Sequence, residues 1–195
     1  MSRGRKKQAP LIVVFIILVV AVGQHYGWLQ NTQQTVTQKA SETQPGLYAV
    51  DHFVDGDTIA VDMNGKTETI RMIGIDTPET HKPNSPVQCY GPAAAAYTKN
   101  LIGDNRVRLE ADPKSQNRDR YKRLLRYVYL PDGKLVEYEL IANGYGFAYT
   151  QFPFTKSDQF VEAEEAAETV VKGLWGNCTV TVEANGRKQT NNLSP

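Results

Sequence analysis

From Leu47 onward the chain alternates short β-branched runs with turn residues, whereas the stretch before it holds one unbroken apolar block and then a polar one. Leu47 to Val54, Thr58 to Met63 and Lys66 to Ile75 read as strands, and Asn64-Gly65 is a two-residue hairpin signal that makes them a meander. Arg106 to Glu110 and Leu124 to Leu130 supply two more strands. Pro92 suits a first helical turn, four successive alanines favour a helix over Ala93 to Ile102, and Gly103 ends it. Pro131-Asp132-Gly133 then turns the chain toward a short helix ending near Asn143-Gly144. Ser157 is the expected N-cap of a helix over Asp158 to Lys172. There Phe160, Ala163, Ala167 and Val171 fall at helical spacing, and Glu162, Glu164, Glu165 and Glu168 read as a solvated face. The class is α+β, and five strands with interspersed helices fit a small closed barrel.

The apolar block, Leu11 to Val22, follows a cationic start and reads as an export element over residues 1–29. Two outcomes stay open. Ala21-Val22-Gly23 suits cleavage of a signal peptide, which would release the protein. Ala9 to Leu29 is also about long enough to span a ~30 Å hydrocarbon core as an uncleaved hydrophobic helix, with Trp28 at an interface. Either way the positive-inside rule leaves residues 30 onward outside the cytoplasm, tethered to the membrane in the second case. Residues 30–46, rich in Gln, Thr and Ser, read as a flexible linker, residues 47–178 as the folded domain, and residues 179–195 as a polar tail with little order.

At 195 residues and 41% hydrophobic content the chain can bury one ordinary core. Net charge is +1, yet Arg3, Arg5, Lys6 and Lys7 precede the apolar block, leaving 18 cations against 21 acids, a balance of −3. That excludes a generic nucleic-acid-coating surface, so any phosphate binding is local or assisted by a metal. Cys89 and Cys178 are the only cysteines, and an even count in an exported chain invites a disulfide. Two unrelated buried thiols are the alternative. His25, His52 and His81 form no ligand spacing.

The chemistry concentrates in Asp55-Gly56-Asp57-Thr58 and in Arg71 followed by Asp76-Thr77-Pro78-Glu79-Thr80. Arginine offers a planar fork of donors for phosphate oxygens, while carboxylates and a turn carbonyl are the ligands that Ca2+ and Mg2+ prefer. Arg118-Asp119-Arg120-Tyr121-Lys122-Arg123 brings further cations if the fold returns on itself. Phosphodiester chemistry is the common denominator.

Asp55-Gly56-Asp57-Thr58, Arg71 with Asp76 to Thr80, Tyr90-Gly91-Pro92, Asp119-Arg120-Tyr121 with Arg123, and Gly173-Leu174-Trp175 together resemble the staphylococcal nuclease (thermonuclease) family. The resemblance spans roughly Leu47 to Cys178. It implies a five-stranded OB-fold β-barrel with three helices and a Ca2+-dependent nuclease that hydrolyses DNA and RNA with little sequence preference, leaving a 3′-phosphate. It also implies roles. Asp57 and Asp76 hold the metal by carboxylate and Thr77 by its carbonyl, with Asp55 in support. Arg71 and Arg123 clamp the phosphate, and Glu79 acts on water. Arg120, Tyr121 and Tyr149 contact substrate, and no obligate protein partner is expected.

Two positions depart from the family pattern. Lys122 stands where glycine is usual, and Gln151-Phe152 stand where a second tyrosine is expected. The rival reading is a catalytically inactive OB module that binds nucleic acid or protein, since this fold serves binding as well as hydrolysis. Retention of Arg71, Glu79 and Arg123 argues against it.

Overall fold

Four antiparallel pairings and one parallel pairing account for the central sheet. The computed structural model describes residues 46–80 and 86–193. The expected leader and almost all of the expected linker, residues 1–45, lie outside the described residues, as does His81. Strands β1 (Leu47–Phe53), β2 (Thr58–Asp62) and β3 (Thr67–Met72) form the predicted antiparallel meander. Its tight turn is the Asn64-Gly65 pair, both at positive φ (59° and 85°), with Met63 and Lys66 exchanging backbone hydrogen bonds across it. The next pairing is non-local.

A two-residue strand β4 (Ile75–Asp76) leaves the barrel, and the chain returns through β5 (Val107–Glu110) and β6 (Leu124–Tyr129). Strand β6 runs parallel to β3 and antiparallel to β5, and β5 meets β1, closing the barrel in the order β1-β2-β3-β6-β5. Closure removes the sheet edges and gathers Ile59, Val61, Ile70, Met72, Val107 and Val128, all essentially inaccessible, into one core. β4 pairs instead with β7 (Phe147–Ala148). That short ladder holds the segment after β3 away from the barrel, where its acids are used.

Helix α1 (Gly91–Ile102) seats Ala94, Thr98 and Ile102, four residues apart, against the barrel and ends at Gly103, whose N–H bonds Lys99 O at 2.8 Å. Helix α2 (Val136–Ala142) and helix α3 (Ser157–Thr169) cover the rest of the core, and a single turn α4 (Leu174–Asn177) follows. Helix α3 differs from the sequence pattern at both ends. Ser157 is its first helical residue and Lys156 its N-cap, without a side-chain cap bond. Val171 adopts φ 56° beyond the helix and is exposed. Of the four glutamates expected in solvent, Glu164 is buried, because it faces β7 and accepts the Ala148 N–H at 3.2 Å. Hydrophobic spacing cannot reveal a carboxylate that satisfies a neighbouring strand.

Residues 179–193 also depart from the expected disorder. Strands β8 (Val180–Val182) and β9 (Lys188–Thr190) form an antiparallel hairpin. The polar composition of this stretch masks a local signal, the Val180-Thr181-Val182 alternation followed by Asn185-Gly186, with Gly186 at φ 85°. Cys89 and Cys178 are joined in a disulfide spanning 89 residues, and Asn191 O accepts the Cys89 N–H at 2.7 Å. For a loop of this length the chain-entropy model gives an upper figure of about 4 to 5 kcal/mol.

One buried acid makes the core sensitive to pH. Glu137 on α2 accepts the Val128 N–H of β6 at 3.1 and 3.2 Å, and burial pushes its pKa from 4.5 up to about 8. Between those values the folded state keeps a proton that the unfolded chain has released, so stability falls as pH rises across that window. Urea unfolding from about pH 5 to about pH 8 should show this decline in the wild type and a shallower one in Glu137→Gln. Equal slopes would remove Glu137 as the cause.

Candidate active site

The β1–β2 turn places Asp55, Gly56 and Asp57 beside the start of β2. Asp55 Oδ1 accepts the Asp57 N–H at 3.1 Å, and both Val54 and Asp55 donate their N–H to Thr58 O. Asp57 is buried, and its two oxygens divide the surroundings between them. Oδ1 meets Arg71 Nε at 3.1 Å and accepts the Thr58 hydroxyl at 3.0 Å. Oδ2 accepts both the N–H and the hydroxyl of Thr77, at 2.9 and 3.1 Å. One carboxylate thus ties the turn, strand β3 and the segment after β4 together.

Close approach of backbone explains two glycines in the motifs. A Cβ on Gly56 would stand 2.7 Å from Thr77 Oγ1, so only glycine lets the two acidic segments meet. A Cβ on Gly91 would stand 2.8 Å from Glu79 O and 3.0 Å from Pro78 O. The loop carrying Glu79 therefore rests on the first turn of α1. Gln88 reinforces this contact by accepting the Glu79 N–H at 2.8 Å through its side chain and donating its own N–H to Glu79 O at 2.9 Å. The Glu79 carboxylate accepts the Thr80 N–H at 3.0 Å.

Arg71 lies between two acids. Its Nη2 is 3.3 Å from Asp76 Oδ1 and its Nη1 donates to Met72 O at 2.7 Å, while only 13% of the side chain is exposed. Burial by itself would lower the pKa of this guanidinium, but Asp57, Asp76 and Asp55 outweigh it and raise the value. The acids are correspondingly strained. Burial, followed by the charge of Asp57, pushes Asp55 up to about 7 and raises Asp76 as well, despite the opposing pull of Arg71. Negative charge is crowded here beyond what Arg71 neutralises.

Arg123 reaches the same place from the barrel's return. Its Nε pairs with Asp119 Oδ2 at 2.7 Å and its Nη1 lies 3.5 Å from Thr58 Oγ1. The hydroxyl of Thr58 therefore links Arg123 to the Asp57 carboxylate. Asp119 Oδ1 accepts the N–H groups of Tyr121 and Arg123, both at 2.9 Å, and Lys122 takes φ 67° in this turn. Lysine thus adopts the left-handed backbone that a glycine would supply, and the turn keeps its shape. Tyr121 is 63% exposed at the turn, with the Arg120 guanidinium 4.7 Å from its ring centroid. Tyr149 donates its N–H to Gly74 O at 2.8 Å, and its ring centroid is 6.0 Å from that of Phe152.

Asp55, Asp57, Asp76, Thr77, Arg71 and Arg123 therefore converge, and the exposed Tyr121 adjoins them, its ring centroid 5.4 Å from the Arg123 guanidinium and its hydroxyl accepting from Arg120. Sequence reading missed two contributors, Thr98 and Arg187, and gave Thr58, a member of the Asp55-Gly56-Asp57-Thr58 motif, no role of its own. Thr98 of α1 is fully buried and donates to Gly56 O at 2.6 Å, fixing the acidic turn from behind. It was legible as the polar member of the Ala94, Thr98, Ile102 stripe. Thr58 bridges as described. Arg187 of the hairpin pairs through Nε with Asp76 Oδ2 at 2.8 Å, and nothing near it in sequence signals that contact.

The donors here are all oxygens, the chemistry that hard divalent cations require. Among the described residues no three His, Cys, Asp or Glu side chains are gathered into a ready metal cage. Asp57 and Asp76 are the carboxylates within reach of Arg71, and their oxygens are engaged by Arg71, Thr58, Thr77 and Arg187 in this structure.

The family model for staphylococcal nuclease homologues matches residues 69–177, more than half of the chain. This chain belongs to the staphylococcal nuclease family. It is 39% identical over 170 residues to a thermonuclease of Staphylococcus hyicus, covering 86% of this chain and 95% of that protein. A thermonuclease of Staphylococcus intermedius is 34% identical over 172 residues, 88% of this chain and 98% of its own length. Endonuclease YncB of Bacillus subtilis (strain 168) is 41% identical over 160 residues, 80% of this chain and 75% of its own. The closed five-stranded barrel with three helices is the fold that the family resemblance implied.

Within this nuclease-family barrel, the support given by Thr98 can be tested by removing only its hydroxyl. Thr98→Val should leave Gly56 O unpaired, lower stability by about 1 kcal/mol in urea unfolding and speed amide exchange at Asp57. No change in either measurement would show that α1 does not brace the turn.

Proposed function

We propose that the chain is a calcium-dependent nuclease, exported from the cytoplasm, that hydrolyses phosphodiester bonds of DNA and RNA with low sequence specificity. The observation that carries this reading is the Asp57–Arg71–Asp76 arrangement, in which one guanidinium is held between two carboxylates at a site lined by oxygen donors. Names of the relatives, thermonuclease and endonuclease, support the nuclease part. The cationic start, the apolar block and the disulfide favour action outside the cytoplasm, with the domain either tethered through residues 1–29 or released.

Each group then has a task. Asp57 and Asp76 would hold Ca2+ by carboxylate and Thr77 by its carbonyl, with Asp55 in support. When bound, the ion would supply Lewis-acid polarisation of the phosphoryl oxygen and would make a nearby water more acidic. Arg71 and Arg123 place guanidinium donors on the equatorial oxygens, where charge grows as the phosphorus is attacked. Glu79, fixed by Gln88 and the start of α1, takes a proton from the attacking water. The bond from phosphorus to the 5′ oxygen breaks in line, the departing oxygen gains a proton from solvent, and phosphate stays on the 3′ side. Tyr149, Tyr121 and Arg120 line the approach to the substrate.

Degradation of single-stranded DNA should proceed with Ca2+ and stop with chelator, and Glu79→Gln should lower turnover by about 10²- to 10⁴-fold. Unchanged turnover would remove Glu79 from the mechanism. Equal, negligible loss with Ca2+ and with chelator would favour a module that binds without cutting.

A further inference from the structure

The β8–β9 hairpin lies beyond the residues that the family model matches, yet it reaches the candidate active site. Its position is fixed from several sides. The Cys89–Cys178 disulfide precedes it, Thr190 donates its hydroxyl to Cys89 O at 2.8 Å, and Lys188 pairs with the buried Glu164 at 2.8 Å. Gln151, at the position where the family pattern has tyrosine, donates its amide to Asn185 O at 2.9 Å and secures the hairpin turn. These contacts deliver one guanidinium, that of Arg187, to Asp76 Oδ2 at 2.8 Å.

Asp76 is thereby gripped on both oxygens, by Arg71 on Oδ1 and by Arg187 on Oδ2. The two arginines are not equivalent. Only 13% of the Arg71 side chain is exposed, against 38% for Arg187. A divalent cation on Asp76 competes with Arg187 for the same carboxylate, and the two positive charges repel at that distance. A guanidinium released from Asp76 stays tethered beside that carboxylate, because the hairpin is anchored through Gln151, Thr190 and Lys188. Its planar fork matches phosphate oxygens.

We propose that Arg187 is a further phosphate-binding residue of this enzyme, parked on Asp76 while the cation is absent and turned onto a substrate phosphate when a cation takes that carboxylate. The inference rests on the nuclease reading above. It assigns the C-terminal hairpin a part in substrate binding, with Gln151 as the residue that docks it.

Calorimetric titration separates the two roles. Wild type and Arg187→Gln are each titrated with Ca2+, and then, at saturating Ca2+, with thymidine 3′-monophosphate as a product-type probe. Thermal unfolding of both confirms equal folding. Arg187→Gln should bind Ca2+ more tightly, by about threefold, and the nucleotide more weakly, by about tenfold. Arg187→Lys, which keeps the charge without the fork, should match wild type for Ca2+ and fall between the two for the nucleotide. If Arg187→Gln weakens both ligands, Arg187 only props Asp76 and the proposal fails, and if neither changes it fails as well. A wild type that binds no Ca2+ would overturn the nuclease reading and this inference together.

Discussion

The Asp57 carboxylate is the constraint on which the site depends. It is buried, it accepts two bonds from Thr77 and one from Thr58, and it holds the Nε of Arg71. A buried carboxylate is tolerated only when it is paired and hydrogen-bonded, so the turn, β3 and the segment after β4 must occupy definite positions before Asp57 can be enclosed. The barrel meets that demand. Antiparallel pairing of β2 with β3 sets Thr58 opposite Arg71, and the parallel pairing of β3 with β6 brings the chain of Arg123 to the same end. The fold thus serves less as a container than as a jig for oppositely charged groups.

Placing them together has a cost that the protein does not hide. Asp55 and Asp76 both have raised pKa values, chiefly through burial and then through Asp57, and Arg71 offsets only part of this. A site left with uncompensated negative charge is suited to take up a cation, and guanidinium groups at its border are suited to an anion. The same crowding explains why Arg187 is drawn from a hairpin outside the barrel to Asp76. Local electrostatics, rather than a broad basic face, also reconciles phosphate chemistry with a chain whose balance beyond the leader is −3.

Much of this was legible in the chain because it is written in local rules. Asn64-Gly65 makes a two-residue turn because both residues accept positive φ, and Gly103 ends α1 by the same freedom. The motif residues Asp57, Arg71, Asp76 and Arg123 were legible as chemistry, and the fold brings them together. What escaped is what arises only across distance. Glu164 sits on a helix face that looks solvated, yet it is buried by contacts with β7 and Lys188. The hairpin of residues 180–190 is an exception, since Val180-Thr181-Val182 and Asn185-Gly186 give it the same kind of local signal as the Asn64-Gly65 turn, masked within a polar tail, whereas its anchors are a disulfide, polar side chains and backbone groups from distant segments. Arg187, 111 residues from Asp76, has no neighbour in sequence that hints at its partner.

The proposed binding of Ca2+ requires the charge of Asp57. Asp57→Asn keeps the shape of the side chain and retains one oxygen for Thr77, so a calcium titration of this variant isolates the charge. The account predicts that the dissociation constant rises by at least about tenfold with the barrel still folded. Calcium binding equal to that of the wild type would contradict it.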